Sequence, residues 1–535
     1  MPVHGRVPPH PATYLMKRKE MALDTAYLLR RAAVMFPHSV AVDDGRTAWS
    51  LRQLLARGER LANALDALAV PSGASVGVLS HNRTAYVEAD TALALGRRVR
   101  VALNARLHLE DFRYIAADAD LHALFYSAEF EEEATALRDE FGLTLLPFDA
   151  PGGAAASRTS TEALIEGTPG DVRVRESAPE GAAWISYTSG TTGHPKGVEL
   201  SHRAVREVAF NLLLELGPVT PGERIVLTQP MSHGAGYFAL PYLLSGAGVH
   251  VQPRFDPGEV WALSQRPEVR TLKIVPAMLE PILAAEPGAE SAAGPGSWGY
   301  DTIVYGASSI PGPVLDRAVE RFGPTLIQDY GQSEAPMTIT CLQKADHLDP
   351  GARLSAGRPW KTVAVEVRGD DGGPVPQGET GEVYVRGPHL MTRYRNKPEE
   401  TARVLRDGWL RTKDMAAVDE RGFVHLRGRR DEMINSGGFN IAPREVESVL
   451  STHDGVDEAV VLGMPDARWG DAVTAVVRPR AGVSLTADEV LSFARPRLGM
   501  RAPKRVVVWG EIPRNAYGKV DRLTIKSRLA EGGSP

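Results

Sequence analysis

Residues Ala182–Leu213 read AAWISYTSGTTGHPKGVELSHRAVREVAFNLL, and this stretch decides how the chain is interpreted. A short apolar run of strand type enters it. Between Tyr187 and Gly197 come three glycines, three threonines, a serine and Lys196. A helical pattern follows, starting near Ser201 or His202. Strand, glycine-rich loop, helix is a suitable setting for an anion, because loop N–H groups and a helix N-terminus both favour negative charge. The stretch departs from the G-x-x-x-x-G-K-[ST] form, since Gly197 follows Lys196. On composition alone, a plain turn carrying a surface lysine competes with a phosphate cradle.

Working outward, "TAYLLRRAAVMF" and "SLRQLLARGERLANALDALAV" carry helical spacing, and "SVGVLS" and "HALFYS" are buried-strand runs. The alternation predicts α/β layers on mainly parallel sheets. The Ala-, Gly-, Ser- and Pro-rich stretch Pro151–Gly181 and the segment "EPGAESAAGPGSWGY" read as surface connections. In the last hundred or so residues the pattern changes to a compact α+β unit, with the boundary near Arg427–Met433. The expected organisation is a disordered leader over 1–23, a large layered domain over 24–428 and a small domain over 429–535.

The 535 residues carry 43% hydrophobic and 24% charged side chains and a formal net charge of −5, which argues against a binder of nucleic acid through a basic surface. Cys341 is the single cysteine, so no intramolecular disulfide forms and a reducing compartment is expected. No stretch approaches the ~20 apolar residues of a membrane span. A cytoplasmic location follows as the expectation; oligomeric state is not readable.

The full run "YTSGTTGHPKGVELSH" resembles the phosphate loop of the adenylate-forming superfamily, which includes acyl-CoA synthetases, adenylation domains and firefly luciferase. The resemblance extends in family order. It takes in "PMSHGAGY" (Pro230–Tyr237), "DYGQSEA" (Asp329–Ala335), "GWLRTKDMA", "GRRDEMINSGGFNIAPREVE" and "PRNAYGKVDR" (Pro513–Arg522). It implies an ATP-dependent enzyme that activates a carboxylic acid as acyl-AMP, releases pyrophosphate and transfers the acyl group to a thiol.

Such a reaction brings two anions together, which calls for Mg²⁺ and lysine at the α-phosphate. A lysine about 4 Å from an anion contributes of order 4 kcal/mol at an effective dielectric near 20. By resemblance, Lys519 bridges the attacking carboxylate and the α-phosphate, Glu334 holds Mg²⁺, and His233 meets the carboxylate end of the acid. Thr188, Ser189, Gly190, Thr191, Thr192, Gly193 and Lys196 surround the departing phosphates, with Ser333 offering a further hydroxyl. Tyr330 lies against the adenine, Gln328 or Asp329 accepts from its amino group, and Asp414 takes the ribose hydroxyls with Arg429 in support. Lys413 stands where the family usually has glycine, and would either help neutralise phosphate or point to solvent.

Tyr237, Gly306, Ala307, Ser308, Gly331 and Met337 are the expected acyl-pocket residues, besides His233. The resemblance makes Asp431 the hinge of a rotating C-terminal domain and Gly438 the glycine beside which pantetheine passes. "SHGAGYF" has no aspartate to pair with an amino-acid ammonium, and Gly331 replaces the tryptophan of acetyl-specific relatives. The substrate expected is a medium-sized hydrophobic acid: aromatic, alicyclic or medium-chain. No carrier domain is expected after "EGGSP", so the acceptor is coenzyme A, with a separate carrier protein as the alternative. A luciferase-like oxidation of the adenylate and a non-catalytic acyl-nucleotide-binding protein are the other readings. Lys196, Glu334, Asp414 and Lys519 argue against the last.

Overall fold

A computed structural model describes residues 24–149, 160–173, 175, 178–188, 195–285, 298–308, 310–515 and 519–531. The proposed leader, Ser189–Gly193 of the loop, and Ala516–Gly518 beside Lys519 lie outside these residues.

Runs without a polar face set the architecture. Ser75–Leu79, Val99–Leu103, Gly248–Val251 and Thr302–Gly306 are strands buried at every position, as strands covered on both faces must be. They lie within two sheets. In one, strands 75–79, 99–103, 121–126, 144–147 and 182–188 run parallel, with 196–201 and 393–394 added antiparallel at one edge. In the other, parallel strands from 40–43 to 326–332 are flanked by antiparallel 48–50, 335–342 and 358–359. Helices cover both sheets. Helix Leu51–Ala67 starts at a reciprocal cap, with Gln53 N–H donating to Ser50 Oγ at 3.3 Å and Ser50 N–H to Gln53 Oε1 at 2.9 Å.

A third, antiparallel sheet joins strands 364–368, 381–386, 405–406, 409–418 and 424–429. After the short turn Arg430–Glu432 the chain enters a separate sheet of strands 434–436, 439–441, 456–466 and 470–479, antiparallel, with 505–508 added parallel. Helices Pro443–Leu450 and Ala487–Leu498 pack on one apolar cluster of this unit, and Arg522–Ala530 on another. The expected α/β fold, a large domain of mainly parallel sheets and a small α+β domain, is present. Among the described residues, no helix is long and apolar enough to cross a membrane.

One local expectation fails. Lys196–Ser201 is a strand, antiparallel to Ala182–Thr188, with Thr188 opposite Lys196. The glycine-rich loop therefore closes a β-hairpin. Helix His202–Glu215 starts six residues beyond Lys196, capped by Ser201 Oγ, which accepts from Ala204 N–H at 3.1 Å. Ser201 thus occupies the cap position of this helix. His202 is buried and its pKa is pushed down to about 4, chiefly by desolvation. The helix begins at His202, as its pattern predicts, and the strand Lys196–Ser201 lies between it and the loop.

Candidate functional site

Tyr330, Ser333 and Glu334 come from one antiparallel hairpin. Strand Leu326–Gln332 ends at Ser333–Glu334, and Ala335–Leu342 returns beside it. Gly331 allows the close approach at its mouth, since a Cβ there would run into the Met337 backbone. Met337 itself sits at φ +54°. Gly306 is needed in the same way, because a Cβ would overlap the Asp329 carboxylate. The missing side chains at Gly306 and Gly331 thus serve backbone packing, which removes them as evidence for a roomy acyl pocket. Ala307, at φ +73°, and Ser308 are exposed beyond that strand.

Gln328 and Asp329 part company. Gln328 is half-buried on the strand, whereas Asp329 is fully buried and paired with Lys273 Nζ at 2.5 Å. Desolvation raises the Asp329 pKa and Lys273 opposes it. The lysine engages Oδ2 of Asp329, whereas Gln328 has the more open side chain of the two. The Lys273 ammonium also lies 4.9 Å from the Phe238 ring centre, tying this strand to the "SHGAGYF" segment.

The Tyr330 hydroxyl donates to Asp414 Oδ2 at 2.6 Å, and Arg429 Nε lies 3.5 Å from Asp414 Oδ1. Asp414 and Arg429 face each other across neighbouring strands, so sheet register alone brings them together. Burial raises the Asp414 pKa, countered by Arg429 and by the Tyr330 hydrogen bond. Glu334 Oε1 accepts from the Tyr394 hydroxyl at 2.6 Å. Lys196 pairs with Glu400 and lies 5.3 Å from the Tyr394 ring centre. Tyr394 therefore links the Glu334 hairpin to the loop hairpin.

Lys519 arrives from the C-terminal unit on its own small hairpin. Asn515 N–H donates to Lys519 O at 2.8 Å, Lys519 N–H to Asn515 Oδ1 at 3.1 Å, and Arg514 pairs with Val520 across the strands. Arg514 anchors that hairpin through Glu458 at 2.8 Å. The Lys519 ammonium comes within electrostatic reach of Arg429, Glu334, Asp414 and His233. The residue keeps solvent access, yet enough protein surrounds it that desolvation, then Arg429, lower its pKa against the pull of Glu334 and Asp414. His233, half-buried, has its pKa pushed down to about 4 by desolvation and then by Lys519, Arg106 and Arg100, and is neutral at pH 7.

Several supporting residues gave no signal in the sequence. Asn82 donates to Gln229 O at 2.8 Å and accepts from Met231 N–H at 2.8 Å. Arg100, fully buried, donates to Asp90 at 2.7 Å and to Met231 O at 2.8 Å, with its guanidinium 4.2 Å from the Trp184 ring centre. Together they pin the segment leading to His233. Tyr237 is buried against Trp184, ring centres 4.7 Å apart.

In the C-terminal unit, Gly437 (φ +60°) and Gly438 (φ +83°) form a tight turn against Trp469, whose carbonyl accepts from Gly437 N–H at 2.8 Å. Arg468 and Lys504 each lie 4.8 Å from the Trp469 ring centre. A Cβ at Gly438 would meet nothing within 4 Å. Among the described residues no group of three or more His, Cys, Asp or Glu side chains stands ready for a metal.

Comparison with known proteins agrees with this geometry. The AMP-binding enzyme family matches residues 29–395, and the AMP-binding enzyme C-terminal domain matches 445–519. The chain is 36% identical to the medium/long-chain-fatty-acid–CoA ligase FadD8 of Mycobacterium tuberculosis, over 91% of this chain and 87% of that protein. It is 35% identical to a feruloyl-CoA synthase of Amycolatopsis, over 93% and 98% respectively. The amide bond synthetase McbA of Marinactinospora thermotolerans superposes with a TM-score of 0.84 at 30% identity, over 94% of this chain and 99% of that one. The chain belongs to the AMP-binding, adenylate-forming enzymes, as an AMP-forming acid–thiol ligase of the acyl-CoA synthetase kind.

Proposed function

We propose that this enzyme activates a medium-sized hydrophobic carboxylic acid as its acyl-AMP and passes the acyl group to coenzyme A, as a cytoplasmic enzyme. The observation that carries the reading is that Lys519, on its short C-terminal hairpin, lies within electrostatic reach of Glu334, Asp414 and His233 of the large domain. Lys519 would offset the charge of the attacking carboxylate and the α-phosphate. Asp414, whose two oxygens keep lone pairs beyond those used by Tyr330 and Arg429, would accept the ribose hydroxyls. Neutral His233 would meet the acid without adding a charge. Glu334 would hold Mg²⁺, which supplies charge neutralisation at the phosphates when bound. Ser333 and Thr192 hydroxyls, with Lys196, would hold the pyrophosphate that leaves.

For the second step, the C-terminal unit would turn about Asp431, withdraw Lys519 and present Gly438 to pantetheine. Trp469, with Arg468 and Lys504 each 4.8 Å from its ring centre, forms a cationic aromatic patch beside that glycine, suited to a phosphorylated purine. We assign it to the nucleotide end of coenzyme A. Trp469→Ala should raise the KM for CoA about five- to thirtyfold while leaving adenylation unchanged.

The deciding test is a panel of aromatic, alicyclic and medium-chain acids assayed for ATP-dependent pyrophosphate release. Each acid is run alone, with CoA, with a carrier protein and with an amine, and products are identified by mass. Thioester formed only with CoA is expected. Pyrophosphate without a CoA thioester would shift the acceptor to the carrier protein or, as in the amide bond synthetase, to the amine. No pyrophosphate from any acid would reject the substrate class.

A further inference from the structure

Lys413 occupies a position that costs an L-residue conformational energy. Its φ is +63°, in the left-handed region. It lies in a bulge, where the pairings Tyr384–Arg411 and Glu382–Met415 leave extra residues on the Lys413 strand. The bulge is held by Lys413 N–H donating to Glu382 Oε1 at 3.1 Å and Asp414 N–H donating to Thr412 Oγ1 at 3.0 Å. Glycine fits such a bulge without penalty. A lysine there carries that conformational cost, and its Nζ lies 3.1 Å from Asp431 Oδ2.

Asp431 is the middle of the three-residue turn through which the chain leaves one sheet for the other. All three turn residues are gripped. Arg430 donates to Glu382 Oε2 at 3.0 Å and pairs with Asp370. Glu432 lies 3.4 Å from Arg522 Nε, on the last helix of the C-terminal unit. Glu382, 1% exposed and also bonded by Arg411 at 2.8 Å, is a fixed anchor. Lys413 and Asp431 are 43% and 57% exposed, so their pair is weak and breakable. A weak contact made in only one of two nearly balanced states biases the balance without locking it.

We propose that Lys413 is a positioning residue for Lys519. By holding Asp431 it biases the C-terminal unit toward the orientation in which Lys519 faces Glu334 and Asp414. The pair favours adenylation and must open before acyl transfer. This deepens, and rests on, the two-step reaction proposed above.

The test compares wild type with Lys413→Met, Lys413→Gly, Asp431→Asn and the charge-reversed pair Lys413→Asp/Asp431→Lys. Two readouts are taken. One is the ratio of pyrophosphate release to acyl transfer from supplied acyl-AMP. The other is the spin-label distance between Glu379→Cys and Ser484→Cys, both exposed, with buried Cys341 left in place. The three single variants should lower the ratio about three- to fivefold and broaden the distance distribution away from the wild-type peak. The reversed pair should recover most of both. An unchanged ratio and distance in an active enzyme, or equal loss in both half-reactions, overturns the role of Lys413. A wild type inactive with every acid rejects the ligase reading instead, and the distance readout, which needs no substrate, still decides whether the clamp exists.

Discussion

Two lysines flank the site, and the chain treats them oppositely. Lys196 begins a strand of the large domain, with its charge paired to Glu400 and laid near the Tyr394 ring. Lys519 stands on a two-residue-wide hairpin of the small domain, held in a site that lowers its pKa. In the proposed reaction, the first is a resting cation that phosphate takes from a carboxylate, and the second meets the anion that arrives with the substrate. A group needed throughout binding can be built into the scaffold, whereas one needed for a single step is better carried on a part that moves.

That contrast is broken most directly by Lys519→Ala. Removing the group that stabilises developing charge should cost on the order of 10²–10³ in adenylation. Acyl transfer from supplied acyl-AMP should change less than about tenfold if, as proposed, the C-terminal unit withdraws Lys519 in that step. Pyrophosphate release and thioester formation, measured separately by rapid quench, check it. Equal losses would mean that both lysines belong to one rigid site.

Much of this was legible in the sequence because it lies in contiguous motifs. The loop, the Tyr330–Glu334 run and the Lys519 segment each carry their chemistry within a few residues, and the structure places Lys519, Glu334, Asp414, Tyr330 and His233 together. What the sequence hid depends on pairing between distant segments. The strand Lys196–Ser201 becomes one only beside Ala182–Thr188. Asp329 belongs to Lys273, 56 residues away. Asn82 and Arg100 reach the His233 segment from the neighbouring sheet. Small residues misled in a different way: Gly306 and Gly331 read as pocket space, but the space is filled by backbone and by Asp329.

A second measurement sharpens the comparison through His233, which feels Lys519 but lies on the large domain. Its folded pKa is lowered to about 4 from 6.5. As pH falls below 6.5, the unfolded chain takes up a proton that the folded chain refuses, so stability is lost progressively until about pH 4. Between pH 7.5 and 5, wild type should lose about 2 kcal/mol more than His233→Gln in urea unfolding. Lys519→Ala should fall between them, since one of the charges opposing protonation is gone while desolvation remains. Identical pH dependence in wild type and His233→Gln would show that the site does not hold this imidazole neutral.

The smallest effect belongs to Glu400→Gln. The hydrogen bond from Lys196 lowers the Glu400 pKa against the opposing effect of desolvation, so the carboxylate is ionised at neutral pH and, in the proposed reaction, competes with phosphate for the same ammonium. The two side chains are 26% and 33% exposed, which makes the pair worth no more than about 1 kcal/mol. Losing it should alter folding stability by no more than about 0.5 kcal/mol and lower the KM for ATP about two- to threefold, because Lys196 no longer has to be taken from a carboxylate. Lys196→Met should do the reverse and raise the KM roughly tenfold, the loss of one charge-assisted phosphate contact. If Glu400→Gln instead raises the KM as much as Lys196→Met, the carboxylate orients the lysine toward phosphate. Lys196 would then be held in readiness as Lys519 is, and the two cations would differ only in which domain carries them.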